Sequence, residues 1–318
     1  MTTYKNIKGI EIKYLSADPP APNAGQVWYN STTKVVKGAI NGVGAWASGG
    51  ALNVAKSSGG TAGTQTAGLY FGGSAPGGNT AQTEKYDGSS WTEVNDLNTV
   101  RQGLAGAGTQ TSALAFGGGP PVKNETEKYD GTSWTEVNNL NTARQVLAGT
   151  GTQTAALAFG GEITANSASA ESFNGTSWTE IAALNSARYA LGGAGTTTSA
   201  LAFGGDNPRT AITESWNGSA WSEVADLNTA RYALAGFGSS NTSALAVGGF
   251  NPPFANETES WDGTSWTEIA NLATARQQLR GSGSTAAAFV AGGITPSKTT
   301  ATEEWTVSSF TTKTFDTD

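Results

Sequence analysis

The sequence has no cysteine, no histidine and a single methionine. The first two absences exclude disulfide scaffolds, thiolate zinc sites, haem ligation through His or Cys, cysteine nucleophiles and any Ser-His-Asp triad. Charge is also sparse: Asp, Glu, Lys and Arg make up 14% of the 318 residues, with a net charge of −7. That balance argues against sequence-independent nucleic-acid binding, which needs a clustered excess of Lys and Arg, and it favours solubility. Long apolar runs are missing as well. The opening MTTYKNIKGIEIKY lacks the apolar core of a signal peptide, and the most apolar later stretch, residues 286–291, is too short to cross a bilayer. Neither a signal peptide nor a membrane anchor is expected.

What is abundant is glycine, 43 residues, together with ten tryptophans. This composition suits a turn-dense all-β chain, not a helical bundle or an acidic disordered chain. At roughly 150 residues per domain the length allows two domains, or one large all-β domain, and the composition favours the second.

A unit of about 44 residues recurs along the chain. Glycine pairs mark it at Gly72-Gly73, Gly117-Gly118, Gly160-Gly161, Gly204-Gly205, Gly248-Gly249 and Gly292-Gly293. A tryptophan series runs in phase with them, at Trp91, Trp134, Trp178, Trp221 and Trp266, with Phe310 in the last unit. Between the two markers lies Glu-x-aromatic, from Glu84-x-Tyr86 to Glu303-x-Trp305, and a Leu-Asn-Thr-x-Arg type of stretch ends in Arg101, Arg144, Arg188, Arg231 or Arg276. One unit reads as four short strands, residues 102–108, 112–117, 125–130 and 133–137. The outer two meet at Asp130-Gly131, a dipeptide that favours type I′ hairpins with positive φ at both central residues. Antiparallel four-stranded units that cannot bury both faces alone point to blades stacked around an axis, a β-propeller. Small residues in the innermost strand would suit crowding at a central channel, and Trp and Tyr would fill the wider space between blades.

The order Gly-Gly, aromatic, Trp, Leu-x-x-x-Arg resembles the kelch repeat over about residues 52–315, although no His follows the Arg and Gly, Ala and Thr are unusually abundant. The opening from Asp18-Pro19-Pro20 to Gly25-Gln26-Val27-Trp28-Tyr29-Asn30-Ser31-Thr32-Thr33 is similar to that of kelch-like virion structural proteins of marine tailed phages, and to short β modules of phage tail fibres. The resemblance implies a virion structural or appendage protein, associated with tail, fibre or capsid and made in the host cytoplasm. Its expected partners are other virion proteins, a host surface glycan and further copies of itself, with no nucleic acid, membrane or cofactor. Trp46 lies 45 residues before Trp91, in phase with the series. The spacing therefore predicts seven blades in one propeller domain: a divergent first blade or docking segment over residues 1–50, with residues 7–15 as its inner strand or lead-in, then six kelch-like blades over 51–318. Six blades plus an N-terminal β module is the alternative.

Repeated chemistry reads as framework. Asp-Gly-x-Ser-Trp is one residue short of the Asp box of sialidase propellers, and turn chemistry accounts for its Asp and Gly. The repeated Arg residues, with Lys56 at the equivalent place, are expected to pair with the repeated Glu instead of forming an anion-binding ring. Galactose oxidase, a propeller enzyme the kelch likeness brings to mind, needs His and a Cys-linked Tyr, both excluded here. No catalytic or metal-binding residue is assigned, and the chain is expected not to be an enzyme; a propeller glycan hydrolase or a free lectin is the alternative. Variation between repeats falls just after each glycine pair, where all ten prolines lie apart from those of the opening segment. These loops are the expected binding surface. Phe250 and Phe254, flanking Pro252-Pro253, are its best apolar candidates, and Lys123, Asp206 and Arg209 supply polar variety.

Overall fold

The computed structural model describes residues 12–19, 26–40, 42–206, 208–308 and 311–315, and no helix occurs among them. Two units are distinguished, Met1–Ala45 with Thr306–Asp318, and Trp46–Trp305. The larger unit is a β-propeller. Its first sheet runs from the inner strand Gly60–Thr64 through Ala67–Phe71 and Thr83–Tyr86 to the outer strand Trp91–Val94. Four more sheets repeat this antiparallel meander from Ala105–Thr109 to Trp266–Glu268. The sixth combines Arg280–Gly283, Ala287–Ala291 and Thr302–Val307 with Gly44–Ser48. The inner strands touch in sequence order, and Arg280–Gly283 packs against Gly60–Thr64, which closes the circle.

The closing strand corrects the expected assignment of the first fifty residues. Trp46 does have the phase of an outer-strand Trp, but its strand completes the last sheet, where the ring of Trp46 packs on Trp305 at 5.4 Å. Residues 27–40 belong to the smaller unit, where the strand order is Lys13–Leu15, Val27–Asn30, Val35–Ile40, Thr311–Phe315. Lys13–Leu15 pairs in parallel with Val27–Asn30, so it is not the inner strand of a blade. Six four-stranded sheets thus follow one another in the larger unit, and the smaller unit holds a four-stranded sheet of its own. A hydrogen-bonding edge explains it: the last blade has an outer strand of its own only if another part of the chain supplies one, and Gly44–Ser48 covers that edge. Phe310, expected at the Trp position of the last unit, lies outside the described residues.

A second correction concerns the outer hairpins. Tyr86 pairs with Trp91, leaving a four-residue loop, Asp87-Gly88-Ser89-Ser90, and not a two-residue type I′ turn. The Asp87 carboxylate accepts the N–H groups of Ser89 at 2.9 Å and Ser90 at 2.8 Å, and only Gly88 has positive φ. Asp130, Asn174, Asn217 and Asp262 repeat this arrangement. The side chain replaces the backbone bond that the tighter turn would have made.

Small inner-strand residues are a steric requirement. A Cβ on Gly106 would stand 2.5 Å from the Thr61 carbonyl of the neighbouring blade, and one on Gly236 would stand 2.6 Å from the Gly193 nitrogen. Between blades, the outer Trp reaches back to the third strand of its neighbour. The indole N–H donates from Trp134 to Thr83, Trp178 to Thr126, Trp266 to Thr213, Trp46 to Thr258 and Trp91 to Thr302, all at 3.0–3.1 Å. At the remaining joint the third strand begins with Ala170, and the buried Trp221 indole N–H has no acceptor.

Two outcomes follow. Ala170→Thr supplies the missing acceptor in a position that takes Thr at the other five joints, and is expected to raise unfolding stability by about 1 kcal/mol in urea titrations. Glu171→Gln leaves the buried Arg144 guanidinium, now 2.7 Å from the carboxylate, without a counter-charge, and is expected to cost about 3 kcal/mol in the same assay.

Candidate binding face

Each connector from an outer strand to the next inner strand carries the repeated basic residue, and its backbone is clasped by the preceding blade. The carbonyl of Arg101 accepts the N–H of Gly73 at 2.9 Å, and the contact recurs around the ring to Lys56 and Gly293 at 2.8 Å. The first glycine of each pair must approach that same carbonyl. A Cβ on Gly72 would lie 2.9 Å from Arg101 O, at a φ of +62°, and on Gly292 it would lie 2.3 Å from Lys56 O.

The basic side chains turn inward. Lys56–Glu84, Arg101–Glu127, Arg144–Glu171, Arg188–Glu214, Arg231–Glu259 and Arg276–Glu303 are ion pairs of 2.5–3.1 Å between buried groups. The second carboxylate oxygen takes the connector itself: Glu127 accepts the Asn98 backbone N–H at 2.7 Å and its side-chain amide at 3.0 Å. Burial lowers the pKa of Lys56, Arg101, Arg144 and Arg276, and the facing glutamates oppose that shift. These charges join blades and are consumed in doing so, as the sequence pattern indicates.

The residue after each basic position pairs with the start of the variable loop of its own blade: Ser57 with Ser74, Gln102 with Gly119, Gln145 with Glu162, Tyr189 with Asp206, Tyr232 with Phe250, and Gln277 with Ile294. This backbone pairing puts the connectors and the variable loops on one face. Loops of adjacent blades are tied to each other there, Asn79 to the Gly119 carbonyl at 3.3 Å and Lys298 to the Ala75 carbonyl at 2.8 Å.

The fourth and fifth blades differ from the rest. Their connector residues are Tyr189 and Tyr232, where the other four are Ser or Gln. The fifth blade also lengthens its middle strands, Ser243–Phe250 and Phe254–Trp261, to eight residues each against four to six elsewhere. Phe250 pairs directly with Phe254 across the Asn251-Pro252-Pro253 turn. Their rings meet edge-on at 5.6 Å, and Phe250 packs against Tyr232 at 5.4 Å. Both phenylalanines are half-buried: packed on one side and open on the other. On the neighbouring blade the Tyr189 hydroxyl donates to Asp206 at 3.2 Å, and burial, followed by the Asp206 charge, pushes the phenol pKa up. Arg209 is exposed on the same loop.

Four of the five candidate residues, Asp206, Arg209, Phe250 and Phe254, therefore lie on adjacent blades. Lys123 is on the second blade, in an ion pair with Glu125 at 3.3 Å, and its backbone N–H and carbonyl hold Gly118 and Arg144. It serves the loop instead of joining the aromatic sector. Tyr189 and Tyr232 were not among the candidates, although the sequence signals them: they break a Gln or Ser pattern at a fixed offset after the Arg. No protein-family model and no curated protein matches the chain.

In the smaller unit the opening motif builds its own sheet. Asp18 accepts from the Trp28 indole at 3.0 Å, the Asn30 amide at 2.8 Å and Lys37 at 2.6 Å. Asn30 in turn caps the following turn by accepting the N–H groups of Thr32 and Thr33, each at 3.0 Å. The Lys37 ammonium and the two neutral donors lower the Asp18 pKa to about 2. A carboxylate depressed in the folded state contributes stability in full above its unfolded value near 3.9, and loses that contribution as the pH falls through the folded value. The indole N–H resonance of Trp28 is expected to stay constant from pH 7 to about 4 and to titrate with a midpoint near 2. Asp18→Asn is expected to abolish that titration.

Proposed function

We propose that the protein is a non-catalytic recognition module of a phage virion, part of a tail, fibre or capsid-associated appendage, which engages a surface glycan or a protein through the aromatic sector of its loop face. The observation that carries this reading is the aromatic cluster of Phe250 and Phe254, on the hairpin whose strands are extended, with the connector residue Tyr232 packed against Phe250. Rings held edge to edge on stiff backbone offer an apolar platform at low entropic cost, the property of anchors for sugar rings and for partner side chains. Tyr189, Asp206 and Arg209 place a hydroxyl, a carboxylate and a guanidinium beside it, which is the polar variety that sets orientation. The virion context rests on the likeness of the opening segment and repeats to phage structural proteins. The non-catalytic reading rests on the use of the repeated carboxylates and cations as blade joints.

Two measurements test it. Mass spectrometry of purified phage particles is expected to find the chain in stoichiometric amount, and its absence removes the virion context. Binding of the full chain to immobilised host cell-surface polysaccharide and to purified particles is expected to fall at least about tenfold in the Phe250→Ala/Phe254→Ala variant with the fold retained, a loss of about 1.4 kcal/mol. Unchanged binding to both removes the aromatic sector as the site.

A further inference from the structure

The axial cavity, about 210 Å³, is lined mostly by Gly and Ala of the inner strands, with a leucine at the start of four of them. One charged residue lines it, Arg280. Its counterparts in the other repeats are Gly60, Ala105, Ala148, Gly192 and Ala235, so the guanidinium belongs to no repeated joint. Every buried cation among the described residues of the propeller faces a glutamate. Arg280 has no carboxylate partner among the described residues. Its Nε donates to the Gly59 carbonyl at 2.8 Å and its Nη1 to its neighbour, the Leu279 carbonyl, at 3.1 Å. Nη2 makes no hydrogen bond to the described residues.

The side chain is held in place by its surroundings. Gly59, whose carbonyl takes Nε, is itself fixed through its N–H, which donates to the Tyr70 hydroxyl at 3.2 Å. Burial pushes the Tyr70 pKa up to about 12, so this hydroxyl stays neutral and does not serve as a counter-charge. Burial also lowers the Arg280 pKa, with no carboxylate to compensate. The side chain is part-buried, and a guanidinium stays protonated under any ordinary condition, so Arg280 presents the cavity with a charge whose counter-ion comes from solution.

We propose that Arg280 binds a small oxyanion in the axial cavity, with Nη2 as the charged donor. Guanidinium groups match oxyanions in geometry as well as charge, and the cavity that Arg280 lines, about 210 Å³, has the volume for one. The site is separate from the aromatic sector of the loop face and does not depend on it.

The test is a calorimetric titration of the full chain with inorganic phosphate at fixed ionic strength, with chloride in a parallel arm, for the wild type and for Arg280→Ala. The variant restores the residue found at this position in three other repeats, and its thermal transition checks that the fold is retained. The expected result is saturable binding of one phosphate by the wild type, at least tenfold weaker in Arg280→Ala, with a phosphate-dependent rise in Tm that the variant lacks. Chloride is expected to compete at higher concentration without matching the phosphate affinity. Absence of saturable phosphate binding by the wild type, or equal binding by the variant, overturns the proposal.

Discussion

Six backbone hydrogen bonds joined head to tail in a circle are the constraint on which the propeller depends. Gly103 donates to Ser58, Val146 to Gly103, Ala190 to Val146, Ala233 to Ala190, Gln278 to Ala233, and Ser58 back to Gln278, at 2.7–2.9 Å. In a cycle of this kind each of the six residues has both its N–H and its carbonyl satisfied by its neighbours in the ring. It also fixes the number of participants, because each blade contributes one residue. The cost lies in the backbone: all six residues have φ between +53° and +61°, and five of them are not glycine. Left-handed conformation costs a non-glycine residue of order 1 kcal/mol or more, the more so for β-branched Val146. Such strain persists only where the surroundings over-determine it.

Those surroundings are the flanking residues of the same connector. Immediately before the strained position is a residue bound to the loop of its own blade, and before that a basic residue whose carbonyl is held by the glycine pair of the preceding blade. The basic side chain then crosses to a buried glutamate, whose other oxygen holds the Asn at the start of the connector. Three successive residues thus tie each blade to its predecessor, to its own loop and to the axis. Glycine pair, Arg, Glu and Asn recur together because each satisfies a polar group that another has brought out of solvent. Repeated chemistry is used up in this way, which leaves the positions where repeats differ outside the blade joints.

Much of this was legible in the sequence, for physical reasons that also mark its limits. The phase of Gly pair and Trp reports the period of a packed unit, and the coexistence of Arg and Glu at fixed offsets reports their pairing. Phase does not report membership: Trp46 has the spacing of a first blade but the partners of a last one, because strand pairing is decided by which edge is open and not by distance along the chain. The left-handed ring was invisible, since Ser58, Val146, Ala190, Ala233 and Gln278 carry no glycine signal. The outer turns were misjudged for the opposite reason. Asp-Gly is a strong local signal, yet the Asp side chain, by capping two amides, stabilises a four-residue loop in its place. Within the candidate site, Phe250 and Phe254 were legible because apolar residues beside Pro252-Pro253 have no repeat partner, whereas Tyr232 had first to be seen as a departure from Gln.

The joint between the first and last blades shows how one departure demands the next. Lys56 stands where the other connectors carry Arg, and Tyr70 stands where the other second strands carry Ala or Val, with the Lys56 ammonium 5.4 Å from the centre of its ring. Tyr70 in turn excludes a side chain at residue 59: a Cβ there would lie 2.4 Å from its ring, and the Leu found in the other five repeats is replaced by Gly. The Gly59 peptide then has both ends engaged from this joint, its N–H by the Tyr70 hydroxyl and its carbonyl by the Arg280 Nε. Lys56, Tyr70, Gly59 and Arg280 are therefore one connected set, located where the ring of blades closes. The five joints that follow the repeat bring equal numbers of buried positive and negative groups. This one brings an additional cation, so the departure from the repeat leaves one positive charge at the axis that no described carboxylate pairs with.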